Sequence, residues 1–438
     1  MTVGRGDPPS GLAEPLLRMI ETIQPAVMVL LCTPTSHLES VKPLEELAAD
    51  RLDSIEYHVE LLEEDDRSDL ASMFQKTVDI LDRVIMQHPD TELHVDFTGG
   101  TKPMSAAVVY AAMSRDVPFA HYAEPIIDST SRRAVGTGRI RSIGLENARV
   151  DAALVRLDDL FGRGEFVAVK LECKRLLRIP NLGQEHLLRL RVLQAIAEAS
   201  ASWDRFSWRS AATSLAAIKP AELKKSGWDS AAIAANIDHL SCCHRVQGLN
   251  INAAVDILAN ADRRRMRNQQ ADAVARYYRL VEYLVQLRFS VRFTDAGLAT
   301  SLDNPTANIP GTLIKAVAPI WFDVRGCLIA GEQSHLNLGL RDTASILAED
   351  GDPLGCMVMD ELGPIDRPSR LGQLLQQRHN SFLAHGSTPV KAQTATSLGQ
   401  VATEIAKAAA SAAGADFSSI RTTADLPVFP SLIGRLSA

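Results

Sequence analysis

The chain has 438 residues, 46% of them hydrophobic and 23% charged, which suggests two or three globular domains with room for buried cores. Its 46 basic and 53 acidic residues leave a formal charge of −7. This excludes a protein that coats nucleic acid through bulk electrostatics, so any nucleotide or RNA site must be a local basic patch.

The cysteines (Cys32, Cys173, Cys242, Cys243, Cys327 and Cys356) are scattered. They do not suggest a secreted disulfide framework and fit a reducing cytoplasm. Cys242-Cys243-His244 lacks the second ligand pair of a zinc site and reads as buried helix residues, so no metal is expected. Residues 2–10 are polar, with Gly and Pro; they read as unstructured and carry no secretory leader.

Residues 1–150 alternate strand and helix. The run 26–32 is continuously apolar, as in a strand buried on both faces, and is too short to cross a membrane. A loop Thr33-Pro34-Thr35-Ser36 follows, then a helix through Val41, Leu44, Leu47 and Ala48. Residues 55–61 read as a second strand. Residues 70–88 form an amphipathic helix with Met73, Val78, Leu81, Val84 and Ile85 on its apolar stripe. Leu93, Val95 and Phe97 alternate in a third strand, and residues 105–114 make an Ala-, Val- and Met-rich helix. Residues 119–123 are a fourth strand, and 133–143 read as a hairpin. Such alternation predicts a mainly parallel, doubly wound sheet.

Residues 151–265 read as an all-helical connector without a repeat period. The basic run Arg263-Arg264-Arg265-Met266-Arg267 reads as a solvated face, with RNA contact as the alternative. A strong helix covers 271–289, and residues 291–335 read as a long irregular loop. Helices resume over 342–348. A Gly- and Pro-containing stretch, 351–364, precedes the helix that starts near Ser369. An Ala-rich helix covers 402–413.

Between the third strand and its helix stands Thr98-Gly99-Gly100-Thr101-Lys102-Pro103-Met104. Glycines let backbone N–H groups approach an anion, a helix N-terminus lies behind them, and two hydroxyls and an ammonium surround them. Ligands of doubly wound sheets sit beyond the carboxyl ends of the strands. That rule brings Thr33, Thr35 and Ser36 together with Thr98, Gly99, Gly100, Thr101 and Lys102, with Glu124 nearby. The string resembles the T-G-G-T-K-x-M signature of CARF domains, the Rossmann-like sensors of CRISPR systems. That resemblance covers about the first 150 residues.

The second constellation is Arg378-His379-Asn380-Ser381-Phe382-Leu383-Ala384-His385-Gly386. Leu371, Leu374, Leu375 and Phe382 suggest one helical face, with Gly386 as the stop. On that helix Arg378 and His385 share a face, about 10 Å apart, with Ser381 between them. Arginine can hold a phosphate in a fork, and histidine can exchange a proton near neutral pH. The plain alternative is a surface arginine and a histidine capping a helix. The string resembles the R-x(4–6)-H motif of HEPN ribonucleases, and the helix with Arg276, Arg279 and Glu282 resembles the first helix of that domain.

The two motifs in this order resemble the CARF–HEPN ribonucleases of type III CRISPR systems. The resemblance implies an α/β Rossmann-like sensor domain (1–150), an all-α connector (151–265) and an all-α HEPN-like ribonuclease domain (266–438). It implies a cytoplasmic homodimer that cuts single-stranded RNA without metal or cofactor and is activated by a cyclic oligoadenylate, with tetra-adenylate favoured over hexa-adenylate. Arg378 would bind phosphate, His385 or His379 would transfer the proton, and Asn380 and Ser381 would orient their neighbours. Slow ring-nuclease activity in the first domain is a further property the resemblance allows. Two readings from other classes stand beside this one. One is a non-enzymatic nucleotide sensor whose C-terminal helices bind a protein partner. The other is a plain Rossmann-like domain with a helical extension. No helix-turn-helix suggests DNA.

Overall fold

The computed structural model describes residues 1–3, 13–63, 68–127, 134–245, 248–294, 297, 304–326, 335–381, 386–428 and 430. They fall into two compact units, Met1–Leu154 with Ile179–His186, and Val155–Arg178 with Leu187–Ala438.

The first unit holds two small sheets. Strand β1 (Thr2–Val3) runs parallel to β2 (Val27–Cys32), which runs parallel to β3 (Glu56–Leu61) from Val27↔Glu56 to Cys32↔Leu61. Strand β4 (His94–Asp96) is parallel to β5 (Phe119–Ile127), and β5 is antiparallel to β6 (Ala134–Gly144). The mainly parallel character is therefore as the alternation predicts.

Three local expectations change. Thr2 and Val3 are strand, not loose tail, because they pair with Leu31 and Cys32; residues 4–10 lie outside the described set. The segment 134–144 is one strand rather than a hairpin. Its Gly136 sits opposite Ile126, between register shifts in β5, where a residue without a side chain fits an irregular ladder. Helix α1 (Ala13–Ile23) goes unread in the sequence. Its Pro15 lies in the first turn, where the missing N–H costs nothing, and Ala13, Leu16, Met19 and Ile20 are buried.

Helix α2 (Leu70–Gln87) starts at Asp69, whose carboxylate accepts from the N–H groups of Ala71 and Ser72. With α3 (Lys102–Ser114) it closes a core over Leu31, Met73, Val78, Val95, Met104 and Ala107.

The second unit is almost wholly helical. Helices α4 (Ile251–Met266), α5 (Gln270–Phe293), α6 (Leu340–Glu349), α7 (Pro353–Leu362), α8 (Arg370–His379) and α9 (Ala392–Ala412) share one core, which includes Tyr277, Leu284, Phe289, Leu347, Val358, Leu371 and Ile405. Helices α5 and α9 approach closely at Gly399, where a Cβ would stand 2.8 Å from the Tyr277 ring.

Helix α7 lies within the Gly- and Pro-containing stretch 351–364. Asp352 caps it through the N–H groups of Leu354 and Gly355, and Pro353 sits in the first turn. Gly355 is a packing residue there: a Cβ would lie 2.5 Å from the Cβ of Leu347. The expected long loop 291–335 holds regular structure among its described residues. Its described residues include the helix Gly311–Val317 and a two-residue pairing of Ile309–Pro310 with His335–Leu336.

The arginine run is not a solvated face. Arg263, Arg264 and Arg267 converge on the buried carboxylate of Asp204, at 3.4, 2.5 and 3.2 Å. Arg265 reaches the Tyr277 hydroxyl instead, at 3.3 Å. Of the adjacent cysteines expected to be buried helix residues, Cys243 is buried but Cys242 is exposed. Among the described residues there is no group of three metal-ligating side chains, and no helix is long and apolar enough to cross a membrane.

Candidate functional site

The glycine turn leaves the carboxyl end of β4 and enters α3. Asp96, the last residue of β4, is buried, and its Oδ1 accepts from the Thr98 N–H at 3.1 Å and the Thr98 hydroxyl at 2.5 Å. The same hydroxyl accepts from the Ala123 N–H of β5 at 2.8 Å. Thr98 is therefore occupied on both sides and fixes the turn to its neighbouring strand. Burial raises the Asp96 carboxyl above its ordinary value, and the Thr98 bonds oppose that shift.

The Thr2 hydroxyl donates to the carbonyl oxygen of Gly99 at 2.8 Å, and the Ser105 hydroxyl donates to that of Phe97 at 3.1 Å. Gly100 has φ +85°, a conformation that glycine adopts at no steric cost. Thr101 caps α3 by accepting from the Met104 N–H, and Met104 Sδ accepts in return from the Thr101 N–H at 3.4 Å. Met104 therefore does at this cap what a Glu or Gln usually does. Thr101 and Lys102 are exposed at the turn.

The loop after β2 lies on the other side of β1. Thr33 caps the short helix Pro34–Ser36, and its hydroxyl lies 3.0 Å from that of Ser36; both residues are buried. Strand β1 pairs with the end of β2 and is tied through Thr2 to the Gly99 turn, which places Thr33–Ser36 and Thr98–Lys102 on its two flanks. Glu124 follows Ala123 on β5, beside Thr98, but its carboxylate is paired with Arg141 of β6 at 3.0 Å. Sequence reasoning missed Asp96, Thr2 and Ser105. The D-x-T spacing before the glycines was the available signal for Asp96.

In the second unit the helix ends earlier than expected. Helix α8 stops at His379, with Asn380 as its cap, and Ser381 is already extended, paired with Thr388. The helix expected to run on through Ser381 therefore ends at His379. Residues Phe382, Leu383, Ala384 and His385 lie outside the described set. Gly386 is not a helix stop either. Its N–H donates to the Ser381 carbonyl, and the Thr388 N–H donates to that of Asn380, both at 3.1 Å, so the chain doubles back.

The Arg378 guanidinium lies over the Tyr278 ring of α5, 4.4 Å from its centroid. Tyr278 donates its hydroxyl to Glu282 at 2.7 Å, and burial, with that bond, pushes the phenol up. Glu282 also faces Arg279 at 3.6 Å. The face of α5 singled out by Arg279 and Glu282 thus meets α8 at Arg378. Arg276 turns to Asp272 on its own helix. Tyr278, which holds Arg378, was not picked out from sequence. His379 and Asn380 are exposed, and Ser381 is buried.

Residues 249–409 match the family model described as the Csm6 HEPN domain. No curated protein matches the chain. Among solved structures, Enterococcus italicus Csm6 bound to cyclic hexa-2′-fluoro-hexa-dAMP aligns with a TM-score of 0.60 at 12% identity, covering 93% of each chain. Residues 249–409 are thus similar to the Csm6 HEPN family, and the structural alignment shows a shared fold.

Proposed function

We propose that this chain, whose residues 249–409 match the Csm6 HEPN domain, is a ribonuclease of CRISPR defence switched on by a cyclic oligoadenylate. The observation that carries the reading is the pairing of two features. A glycine turn with Thr101 and Lys102 stands at the end of β4, and Arg378 lies within the matched HEPN segment. The solved relative of the same fold holds a cyclic six-membered adenylate analogue, which agrees in class with the ligand inferred for the turn.

In this reading residues 1–150 form a Rossmann-like sensor, 151–265 a connector and 266–438 the nuclease. The protein is a homodimer, since a ring with two-fold symmetry suits an interface that uses one patch twice. Thr101 and Lys102 contact the ring, with Thr35 from the loop after β2, while Thr33, Ser36, Thr98, Gly99 and Gly100 shape the cradle. Arg378 binds the scissile phosphate and stabilises the charge that develops on it. The 2′-hydroxyl of the RNA attacks that phosphate, and the 5′-oxygen leaves. A 2′,3′-cyclic phosphate and a 5′-hydroxyl result. His385, or His379 in its place, transfers the proton. Asn380 and Ser381 position the turn. None of these steps uses a metal ion. Binding of the ring must favour the cutting arrangement over the idle one, since equal affinity for both shifts nothing.

The test is cleavage of a fluorescent single-stranded RNA in EDTA, with no ring, with cyclic tetra-adenylate and with cyclic hexa-adenylate. Cleavage that depends on a ring, and is lost in Arg378→Ala and in His385→Ala, is the expected result. Ring binding without cleavage would instead identify a sensor that acts through a protein partner.

A further inference from the structure

A cavity of about 520 Å³ opens beside Asn380, between the end of α8, the returning segment 388–390 and the first turns of α9. No described residue lining it is acidic. Its polar side chains are three amides (Gln377, Asn380 and Gln393), three hydroxyls (Thr388, Thr394 and Ser397) and the ammonium of Lys391, while Leu374 and Val390 supply an apolar wall. The Thr394 hydroxyl donates to Gln377 Oε1 at 2.6 Å, which occupies the amide oxygen and leaves the NH2 group as donor.

We infer that this cavity is a nucleotide subsite of the RNA substrate, adjacent to the phosphate at Arg378; the inference rests on the ribonuclease reading. Amides offer donor and acceptor together, as the edge of an unpaired base does, and an apolar wall receives the face of the base. Lys391 complements the phosphate of the same nucleotide. A volume of this size lies in the range of small-ligand pockets, which fits one nucleotide and not a duplex. Gln377 and Arg378 are consecutive on α8, so their side chains diverge by about 100° around the helix. A base held by Gln377 therefore stands to one side of the phosphate held by Arg378, the relation of neighbouring groups along one strand. The fixed Gln377 amide selects a base that presents an acceptor to it.

The test separates binding from cutting. Titration of a fluorescent single-stranded RNA into the Arg378→Ala protein, which keeps the cavity, reads affinity without turnover. Adding Lys391→Ala and Gln393→Ala is expected to weaken binding by about tenfold or more, in proportion to one lost phosphate contact and one lost amide contact. Both residues are exposed, so the melting temperature should stay that of the parent. Unchanged affinity in the triple variant would overturn the subsite, whatever the nuclease assay shows. In the cutting protein, the base preference next to the cleaved bond, read by sequencing products from a randomised RNA, is expected to flatten in Gln393→Ala. A preference identical to the parent's would count equally against it. Absence of cleavage by the parent with either ring would refute the ribonuclease reading, and the titration would still judge the cavity.

Discussion

Replacing Gly386 by alanine perturbs the turn after α8 at a single atom. A Cβ there would stand 2.1 Å from the Asn380 carbonyl oxygen, 2.3 Å from its carbon and 2.6 Å from the Asn380 Cα. All three are backbone atoms, so no side chain can swing aside. The chain must retreat by roughly 1 Å or more before ordinary contact distances return. That movement breaks the bonds from Gly386 N–H to Ser381 and from Thr388 N–H to Asn380, each 3.1 Å long. At about 1 kcal/mol each, their loss destabilises the turn by about 2 kcal/mol. The open population then rises by about thirtyfold. Hydrogen exchange of a peptide spanning 380–390 reads this directly, since local opening sets the exchange rate there. Faster exchange by that factor is expected, with little change in the global melting temperature and with reduced RNA cleavage. Exchange equal to that of the parent would refute the close approach, and with it the tight return of the chain beside Arg378.

Asp204→Asn should be among the most damaging single changes in the second unit. It removes the buried carboxylate on which Arg263, Arg264 and Arg267 converge, and leaves only Arg264 with another ion pair, to Asp272 at 3.5 Å. A loss of about 3–5 kcal/mol is expected. Urea unfolding followed by the fluorescence of nearby Trp203 and Trp208 checks it, and an unmoved midpoint would contradict the role. In the first unit, burial and then the adjacent His94 lower His121 from 6.5 to about 4. His121 is therefore neutral in the folded chain, while the unfolded chain takes up a proton below about pH 6.5. Stability should fall as pH drops from 6.5 towards 4, by up to about 3 kcal/mol. Urea titrations followed by circular dichroism at pH 7 and pH 5 should show that fall diminished in His121→Phe. An equal fall in the variant would show that other groups cause it.

The parts of the fold that were legible in sequence are those where one force dominates. Residues 26–32 read as a buried strand because every side chain there is apolar, and they became β2. The turn at 98–102 read as a strand-to-helix junction because glycines and threonines have few other uses between two apolar runs. The misreadings came where a local signal had a tertiary purpose. Pro353 and Gly355 look like helix breakers, yet one starts α7 and the other lets it approach Leu347. Gly386 looks like a cap, yet it is small because the backbone of Asn380 passes against it. Leu371 and Leu374 are spaced to continue a helix beyond Arg378, and nothing in their pattern shows that Asn380 ends it. The same limit hid Tyr278, which is distant in sequence from the arginine it supports.

The inward turn of Arg263, Arg264 and Arg267 bears on how the proposed ribonuclease would hold a polyanion. Three guanidinium groups that the sequence displays as a strip are consumed by Asp204 and cannot displace the counterions that surround RNA. In the ribonuclease reading, an RNA strand meeting this chain, whose formal charge is −7, gains no counterion release from these three groups. Attraction at a distance is correspondingly small, and strands are gripped only where local chemistry fits. In the ribonuclease reading, this arrangement disfavours tracking along a strand by way of the arginine run and favours brief, independent encounters.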